Sequence, residues 1–410
     1  VRKTIWYITK YFSPRTEKSA GGRDWFLLTR MAESGNLIRV ITSDSNTAFD
    51  IPKIKGAFAV DYYDNLQVIW LRTLKYKVAK SVLRILSWFH FEWRLFWLDK
   101  SSLPRPDVII VSSLSLLTII NGLFLKRKYK CKLVFEVRDI WPLTIIVEGG
   151  YSRNNPFVVF LSWLEWLGYR YSDVVVGTMP NLSQHVEKVL GYKRVVQCVP
   201  MGFDESMLEA HFPVEKSFID AYFHPDKFSV VYAGTIGITN ALEPLFEAAK
   251  KLQGNNRIQF VLIGDGPLRE NYKEKYSGLS NVLFAGKVPR RMVRSVLEHA
   301  DVVYFSVFRS RVWDYGQSLN KVIDYMLSGK PILASFSGYS SMINESGCGY
   351  IVPAEDVEKL VDKLEIISQL PRSELSEVGL RGARWIYENR PYSKLASDYL
   401  SYIFPDDVLS

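Results

Sequence analysis

Two successive α/β domains, each a parallel sheet covered by helices, are predicted by the sequence, and three observations predict them. Short apolar, β-branched runs alternate with longer stretches of helical period along the whole chain, the pattern of Rossmann-like folds. The alternation breaks between Asp204 and Phe228, where ESMLEAHFPVEKSFIDAYFHPDKF has neither a sustained period nor a strand, and then begins again. The chain has 410 residues, 48% hydrophobic and 23% charged, which is enough for two cores and unlike a disordered or fibrous chain.

In chain order, the first series of strands is IWYIT (5–9), IRVIT (38–42), QVIWL (67–71), DVIIV (107–111), KLVFEV (132–137), DVVVG (173–177) and VVQCV (195–199). Residues 108–125 carry no charge and reach the length of a membrane-spanning helix. Ser112, Ser113, Ser115, Thr118, Asn121 and Gly122 make the stretch too polar for that, and it reads instead as a buried strand leading into the helix SLLTIINGLFLK. The second series is FSVVYAG (228–234), QFVLIG (259–264), NVLFAG (281–286), DVVYFS (301–306), PILAS (331–335) and GYIV (349–352). The expected domains are 1–204 and 205–385, with 386–410 as a C-terminal helix packing back on the first domain.

The stretch richest in chemistry is YGQSLNKVIDYMLSGKP (315–331). Ser318 is read as an N-cap, Leu319, Val322, Ile323, Met326 and Leu327 have helical spacing, and Gly329 and Pro331 stop the helix near Ser328. The first turn of such a helix presents backbone N–H groups at the positive end of its dipole, and Lys321 adds a point charge there, so an anion such as a diphosphate is favoured. Asp324 lies on the face of Asn320 and Lys321, where a carboxylate can accept two ribose hydroxyls. A capped surface helix with an i, i+3 Lys–Asp pair reads from the same pattern.

Ligands in open α/β sheets sit beyond the carboxyl ends of the strands. Gly234 and Gly237, Gly264 and Gly266, and Gly286 each follow a strand at once, and Gly21 and Gly22 precede a helix beginning near Arg23. These are candidate phosphate or nucleotide contacts, and equally plain βα turns. Neither GxGxxG after the first strand nor GxxxxGK[ST] is present, which disfavours a dehydrogenase or a P-loop enzyme.

The net charge of +9 is unevenly placed: residues 1–205 hold 29 Lys and Arg against 18 Asp and Glu, and the remainder 23 against 25. Within the basic half, 75–100 (KYKVAKSVLRILSWFHFEWRLFWLDK) mixes cations with Trp88, Phe89, Phe91, Trp93, Phe96 and Trp97, and KRKYKCK follows at 126–132. Cations beside interfacial aromatics suit an anionic membrane surface, at about 1 kcal/mol per basic residue. A core helix with a solvated basic face fits as well, and no nucleic-acid motif accompanies the charge. Cys131, Cys198 and Cys348 are far apart, odd in number and without CxxC, which argues against both a disulfide framework and a zinc site. A reducing cytoplasm is expected, and the opening VRKTIWYITKYF reads as a strand rather than a secretory leader.

Taken together, AGGRDWFLLTRMAESG, VFEVRDIWP, VPMGFD, YAGTIG, IGDGP and SLNKVIDYMLSGKPI resemble, across nearly the full length, the retaining glycosyltransferases of family 4. The pattern is most similar to the bacterial O-antigen and capsule branch, in particular its N-acetylfucosamine-transferase-like members. The resemblance implies the GT-B fold, two Rossmann-like domains facing each other across a cleft. It implies a UDP-sugar donor, a lipid-diphosphate-linked glycan acceptor at the inner face of the cytoplasmic membrane, no nucleic acid, no metal and no further cofactor. A UDP-sugar 2-epimerase of the same fold and a nucleotide-binding subunit without chemistry are the alternatives.

The resemblance also implies roles. Gly21 and Gly22 would contact the donor from the first domain. Ser318, Leu319, Asn320 and Lys321 would hold its diphosphate, with Lys321 stabilising the leaving group, and Asp324 would hold the ribose. Gly234, Thr235, Gly264, Asp265, Gly266 and Val288 would lie along the nucleotide. Arg138 and Asp139 fall where many members carry a His-Asp pair near the reacting sugar, and Asp139 or Glu148 would face the acceptor. The family often has Glu-x7-Glu around this helix, but Gly316 stands at the first position and Asp324 at the second. An Arg and a Lys of many members are replaced by Thr235 and Asn240, so phosphate charge would rest on Lys321, with Arg309 or Arg311 beside it.

Overall fold

The computed structural model describes residues 2–16, 19–46, 52, 54–78, 81–209 and 212–405. Ala79 and Lys80 of the basic-aromatic segment, residues 210–211 of the expected junction and residues 406–410 lie outside the described residues. The chain forms two units, Val1–Gly202 with Tyr392–Ser410, and Phe203–Pro391. Residues 386–389, expected with the terminal segment, instead end the helix Arg372–Asn389 in the second unit.

The first unit is built on eight strands: β1 (Thr4–Ile8), β2 (Leu37–Ser43), β3 (Phe58–Tyr63), β4 (Leu66–Leu71), β5 (Val108–Ser112), β6 (Lys132–Val137), β7 (Val174–Gly177) and β8 (Gln197–Cys198). Their order is β3-β4-β2-β1-β5-β6-β7-β8, and every pairing is parallel except β3 with β4. Strand β3 is absent from the sequence reading. Its signal was present, because Asp64-Asn65 is a two-residue turn dipeptide between FAVDYY and LQVIWL, and Asp64 takes the left-handed φ of 48° such a turn needs. In the expected strand 195–199 only Gln197 and Cys198 pair, and Val195 faces solvent.

Four helices of this unit matter below: α1 (Arg23–Glu33), α2 (Val82–Trp97), α3 (Thr118–Tyr129) and α4 (Pro156–Tyr171). Residues 108–125 divide into β5 and the first part of α3, and none of the described helices is long and apolar enough to cross a membrane. The terminal helix Tyr392–Ile403 buries Tyr392, Leu395, Ala396, Tyr399 and Ile403, which share one helical face, in the core that holds Ile5, Val40 and Leu28. Tyr392 stacks on Phe26 of α1 with ring centroids 5.3 Å apart.

The second unit has a six-stranded, wholly parallel sheet: β9 (Phe228–Ala233), β10 (Ile258–Ile263), β11 (Val282–Gly286), β12 (Val302–Ser306), β13 (Ile332–Ser335) and β14 (Gly349–Val352), in the order β11-β10-β9-β12-β13-β14. Strands β9, β10, β12 and β13 are buried along their whole length, as sheets covered on both faces require. The helix α5 (Asn320–Leu327) follows β12 after a 3-10 turn at Arg311–Tyr315.

Candidate functional site

In the second unit, α5 is locked to the end of β9 by one side chain. The buried Tyr325 hydroxyl donates to the Ala233 carbonyl at 2.9 Å and accepts from the Ala233 N–H at 3.0 Å, so β9 and the start of α5 keep one registration. Lys321, one turn earlier, therefore lies over the residues that leave β9. Its Nζ donates to the Tyr232 hydroxyl at 3.2 Å and to Asn240 Oδ1, and sits 5.0 Å from the centre of the Tyr232 ring. Tyr232 in turn donates to the Thr235 carbonyl at 2.6 Å, Asn240 Nδ2 donates to the same carbonyl at 2.8 Å, and Ser306 Oγ donates to the Asn240 carbonyl at 2.7 Å. The ammonium is thus aimed by neutral groups. Among the described residues no carboxylate lies within ion-pair reach of it, and burial pulls its pKa down to about 8.

Asp324 lies a turn beyond, partly open to solvent, with Arg290 Nη2 at 3.9 Å. Burial raises its carboxyl above the ordinary value, and Arg290 opposes that shift. The sequence reading had not singled out Arg290, which comes from the loop after β11. The N-cap of α5 is Leu319 rather than Ser318, with extended backbone and no side-chain cap, so the helix begins at Asn320. Without a capping side chain, the first-turn N–H groups keep their capacity for a ligand. Arg309 is held elsewhere: its Nη2 donates to the Ala354 carbonyl and its N–H to Glu355, after β14.

The glycines of this edge have a structural cause. A Cβ on Gly264 would lie 1.9 Å from the Gly234 carbonyl oxygen, and one on Gly266 2.3 Å from that of Ile236. The chain leaving β9 runs against the IGDGP loop, with Ile236 N–H on the Asp265 carbonyl at 2.9 Å. Gly264 and Gly266 permit that approach, and Asp265 accepts from the Gly266 N–H at 2.8 Å. Gly286 has φ 79° and open space where a Cβ would sit, and Val288 is half-buried in the loop beyond it.

In the first unit the expected residues meet at the C-terminal edge of the sheet. Gly21, at φ 81°, and Gly22, the N-cap of α1, bring the chain back beside Ser13. Arg138 and Asp139 follow β6. The Arg138 guanidinium pairs with Asp24 in the first turn of α1, and Arg23 pairs with Glu136 at 2.9 Å while donating to the carbonyls of Val199 and Pro200. Arg138 is therefore spoken for inside the fold. Asp139 is at the surface yet densely surrounded by protein, and desolvation lifts its carboxyl, with Arg138 opposing. Glu148 is lifted by desolvation and then by Asp139, so these two carboxylates feel each other. The loop is steadied by Ser113 Oγ, which accepts from the Arg138 N–H at 2.9 Å, and by Trp141, whose ring meets Trp88 of α2 edge-on at 5.6 Å.

Residues 227–369 match the family model described as glycosyl transferases group 1. No curated protein matches the chain. Among solved structures, the chain is similar to sucrose-phosphate synthase from Thermosynechococcus elongatus, with TM-score 0.72, 15% identity and 100% of both chains covered. It is similar to an α,α-trehalose-phosphate synthase (UDP-forming) from Burkholderia vietnamiensis, with TM-score 0.70, 13% identity and coverage of 98% and 99%. HepE from Anabaena, crystallised with UDP and glucose, gives TM-score 0.62 at 13% identity over 98% and 100%. At such identities the structural likeness is one of fold. The chain is a glycosyltransferase built on the GT-B fold, with a group 1 glycosyltransferase domain in its second unit.

Proposed function

We propose that the protein is a retaining glycosyltransferase that moves a sugar, an N-acetylated hexosamine or deoxyhexosamine, from a UDP-sugar without the help of a metal. The observation that carries this reading is Lys321, a half-buried ammonium aimed by Tyr232 and Asn240, beside a helix start without a side-chain cap and, among the described residues, with no acid opposite it. A diphosphate supplies the missing charge. In the reaction, Lys321 and the first-turn N–H groups stabilise charge developing on the leaving diphosphate. The acceptor hydroxyl attacks from the face the diphosphate leaves, and a departing phosphate oxygen takes its proton. Asp324 holds the ribose. UDP as the nucleotide is supported by the two neighbours described as UDP-forming and as bound to UDP and glucose.

The acceptor in this reading is a lipid-diphosphate-linked saccharide of O-antigen or capsule synthesis, met at the cytoplasmic face of the membrane. Its support is the outer surface of the first unit. On α2, Trp93 and Trp97 are 63% and 66% exposed, the ring of Phe96 stands 5.2 Å, centroid to centroid, from that of Phe124 of α3, and Trp163 of α4 is also exposed. Arg127 and Lys128 lie exposed on the last turn of α3. Exposed aromatics next to cations fit the headgroup region of an anionic bilayer.

The test is release of UDP from candidate UDP-sugars with and without lipid-linked acceptors. Acceptor-dependent release with the anomeric configuration kept is expected. Turnover of a UDP-sugar on its own would replace this reading with a 2-epimerase, and full recovery of the protein in the supernatant of anionic vesicles at low salt would remove the membrane.

A further inference from the structure

At the β3–β4 edge of the first unit lies a cavity of about 460 Å³. Among the described residues its lining holds four basic side chains, Arg72, Lys75, His90 and Arg94, and no carboxylate. Lys75 is matched from outside the lining by Asp44 at 2.6 Å. The two arginines are not matched. Among the described residues each donates only to a backbone carbonyl, Arg72 Nη1 to Lys55 at 3.3 Å and Arg94 Nη2 to Ala57 at 2.7 Å. His90 Nδ1 accepts from the Leu74 N–H at 3.0 Å, so in the neutral ring the proton sits on Nε2, which is a donor. The surroundings are apolar and exposed: Leu74 lines the cavity, Phe58 follows Ala57 on β3, and Trp93 and Trp97 lie one residue before and three after Arg94 on α2. Strand β4 stands four places from β6 in the sheet, about 19 Å at the usual strand spacing, so the cavity is distinct from the Asp139 loop.

We infer that this cavity is a headgroup site that binds the phosphate of an anionic bilayer phospholipid. This rests on the reading that the first unit faces the membrane, and it replaces a diffuse basic surface with a defined pocket. A guanidinium meets a phosphate through two parallel N–H···O bonds, and the phosphate brings the counter-charge that Arg72 and Arg94 lack. An amphiphile suits the place better than a free phosphate. Its charged end meets the arginines while its apolar part lies beside Phe58, Leu74 and the two tryptophans, as aromatics and cations are arranged at a bilayer surface. The diphosphate of a glycan acceptor suits it less well, because the attached saccharide would have to span four strand spacings to reach the Asp139 loop. The same donors also select among headgroups. One that carries an ammonium is repelled by the two arginines, whereas one that carries hydroxyls can accept from His90 Nε2.

The experiment measures partition onto phosphatidylcholine vesicles that contain equal shares of either phosphatidylglycerol or phosphatidylserine, so that both carry the same surface charge. Wild type is compared with the double variant Arg72→Lys/Arg94→Lys, which keeps the net charge and removes the two planar forks. Wild type should bind the phosphatidylglycerol vesicles about tenfold more tightly than the phosphatidylserine ones. In the double variant that preference should vanish, with binding to phosphatidylserine vesicles within about twofold of wild type and the unfolding midpoint within about 2 °C. Equal binding of wild type to both vesicles, or an equal loss on both in the variant, would overturn the inference by making the cavity part of a diffuse basic surface. A variant that keeps the lipid preference but needs more lipid-linked acceptor for turnover would overturn it too, by giving the cavity to the acceptor. Wild type left in the supernatant with both vesicles at low salt would instead remove the membrane reading, and the inference with it.

Discussion

Both units hold cations at the C-terminal edge of their sheet, and they match them in opposite ways. In the first, Arg23 faces Glu136 at 2.9 Å and caps two carbonyls, and Arg138 faces Asp24, so each cation has its acid. In the second, Lys321 has a phenol and an amide and, among the described residues, no acid, and the Gln317 amide has no hydrogen-bond partner among them. A buried charge matched inside the protein holds the fold, and breaking the match is what costs. A half-buried charge met only by neutral groups keeps a demand that a ligand can fill. The contrast also separates residues that one sequence motif would treat alike: Arg138 and Lys321 are both cations beside a predicted catalytic turn, and only Lys321 is available.

The largest expected effect tests the matched side. Arg23→Met should lower the stability measured by urea unfolding by about 3–5 kcal/mol, because Glu136 would remain buried without its cation. The sign with pH follows from Glu136. Burial alone would raise its pKa, but Arg23 and Arg138 outweigh burial and hold it below the ordinary 4.5. Its contribution is therefore present above that value and is lost as the pH falls through its folded value. The variant should show a weaker acid limb. An unchanged urea midpoint would mean that the pair carries no stability, and the comparison would lose its first half.

Next in size is the unmatched side. Lys321→Ala should lower transfer by about 10²–10³, the scale for removing one preorganised donor to a leaving group. Its unfolding midpoint should not fall, since the ammonium is desolvated without an acid to compensate. Near-normal transfer in this variant would end the assignment of the donor site.

How far the site can be read from sequence depends on where each interaction is made. The helix carrying Lys321 and Asp324 is legible because spacing and stop signals are local. Strand positions are largely legible because buried parallel strands announce themselves as apolar runs, whereas β3 lies at the edge and is marked only by the Asp64-Asn65 turn of its hairpin. What lies outside local pattern is pairing. Asn240 reaches Lys321 across 81 residues, and Arg138 reaches Asp24 across 114, so neither contact has a signature in the chain around it. The capping expectation failed at Ser318 because the helix opens later, at Asn320, with Leu319 in the cap position. Gln317 could not be recognised from sequence at all, since whether a glutamine is satisfied is a tertiary fact.

A smaller effect is expected one turn along α5. Asp324→Ala should weaken UDP binding by about 10- to 100-fold, the range for losing hydrogen bonds to a charged group, with Asp324→Asn falling between. Calorimetry with UDP and with UMP lacking the second phosphate distinguishes a ribose contact, which both ligands lose, from a diphosphate contact. Equal affinity in wild type and variant would leave Asp324 as the partner of Arg290 and nothing more.

The mildest test needs no mutation. In the free protein Lys321 titrates near 8, because burial disfavours its charged form. A diphosphate favours the charged form, so binding takes up a proton above that pH. UDP affinity should then fall by about tenfold between pH 7 and 9, since one pKa unit corresponds to 1.36 kcal/mol. Tyr232, the phenol in contact with Lys321, is pushed far above its ordinary value by burial and does not titrate in this window. The decline should therefore vanish in Lys321→Met, which binds weakly at every pH. A decline that persists in that variant would place the titrating group elsewhere, and Lys321 would then be as closed to ligand as Arg138.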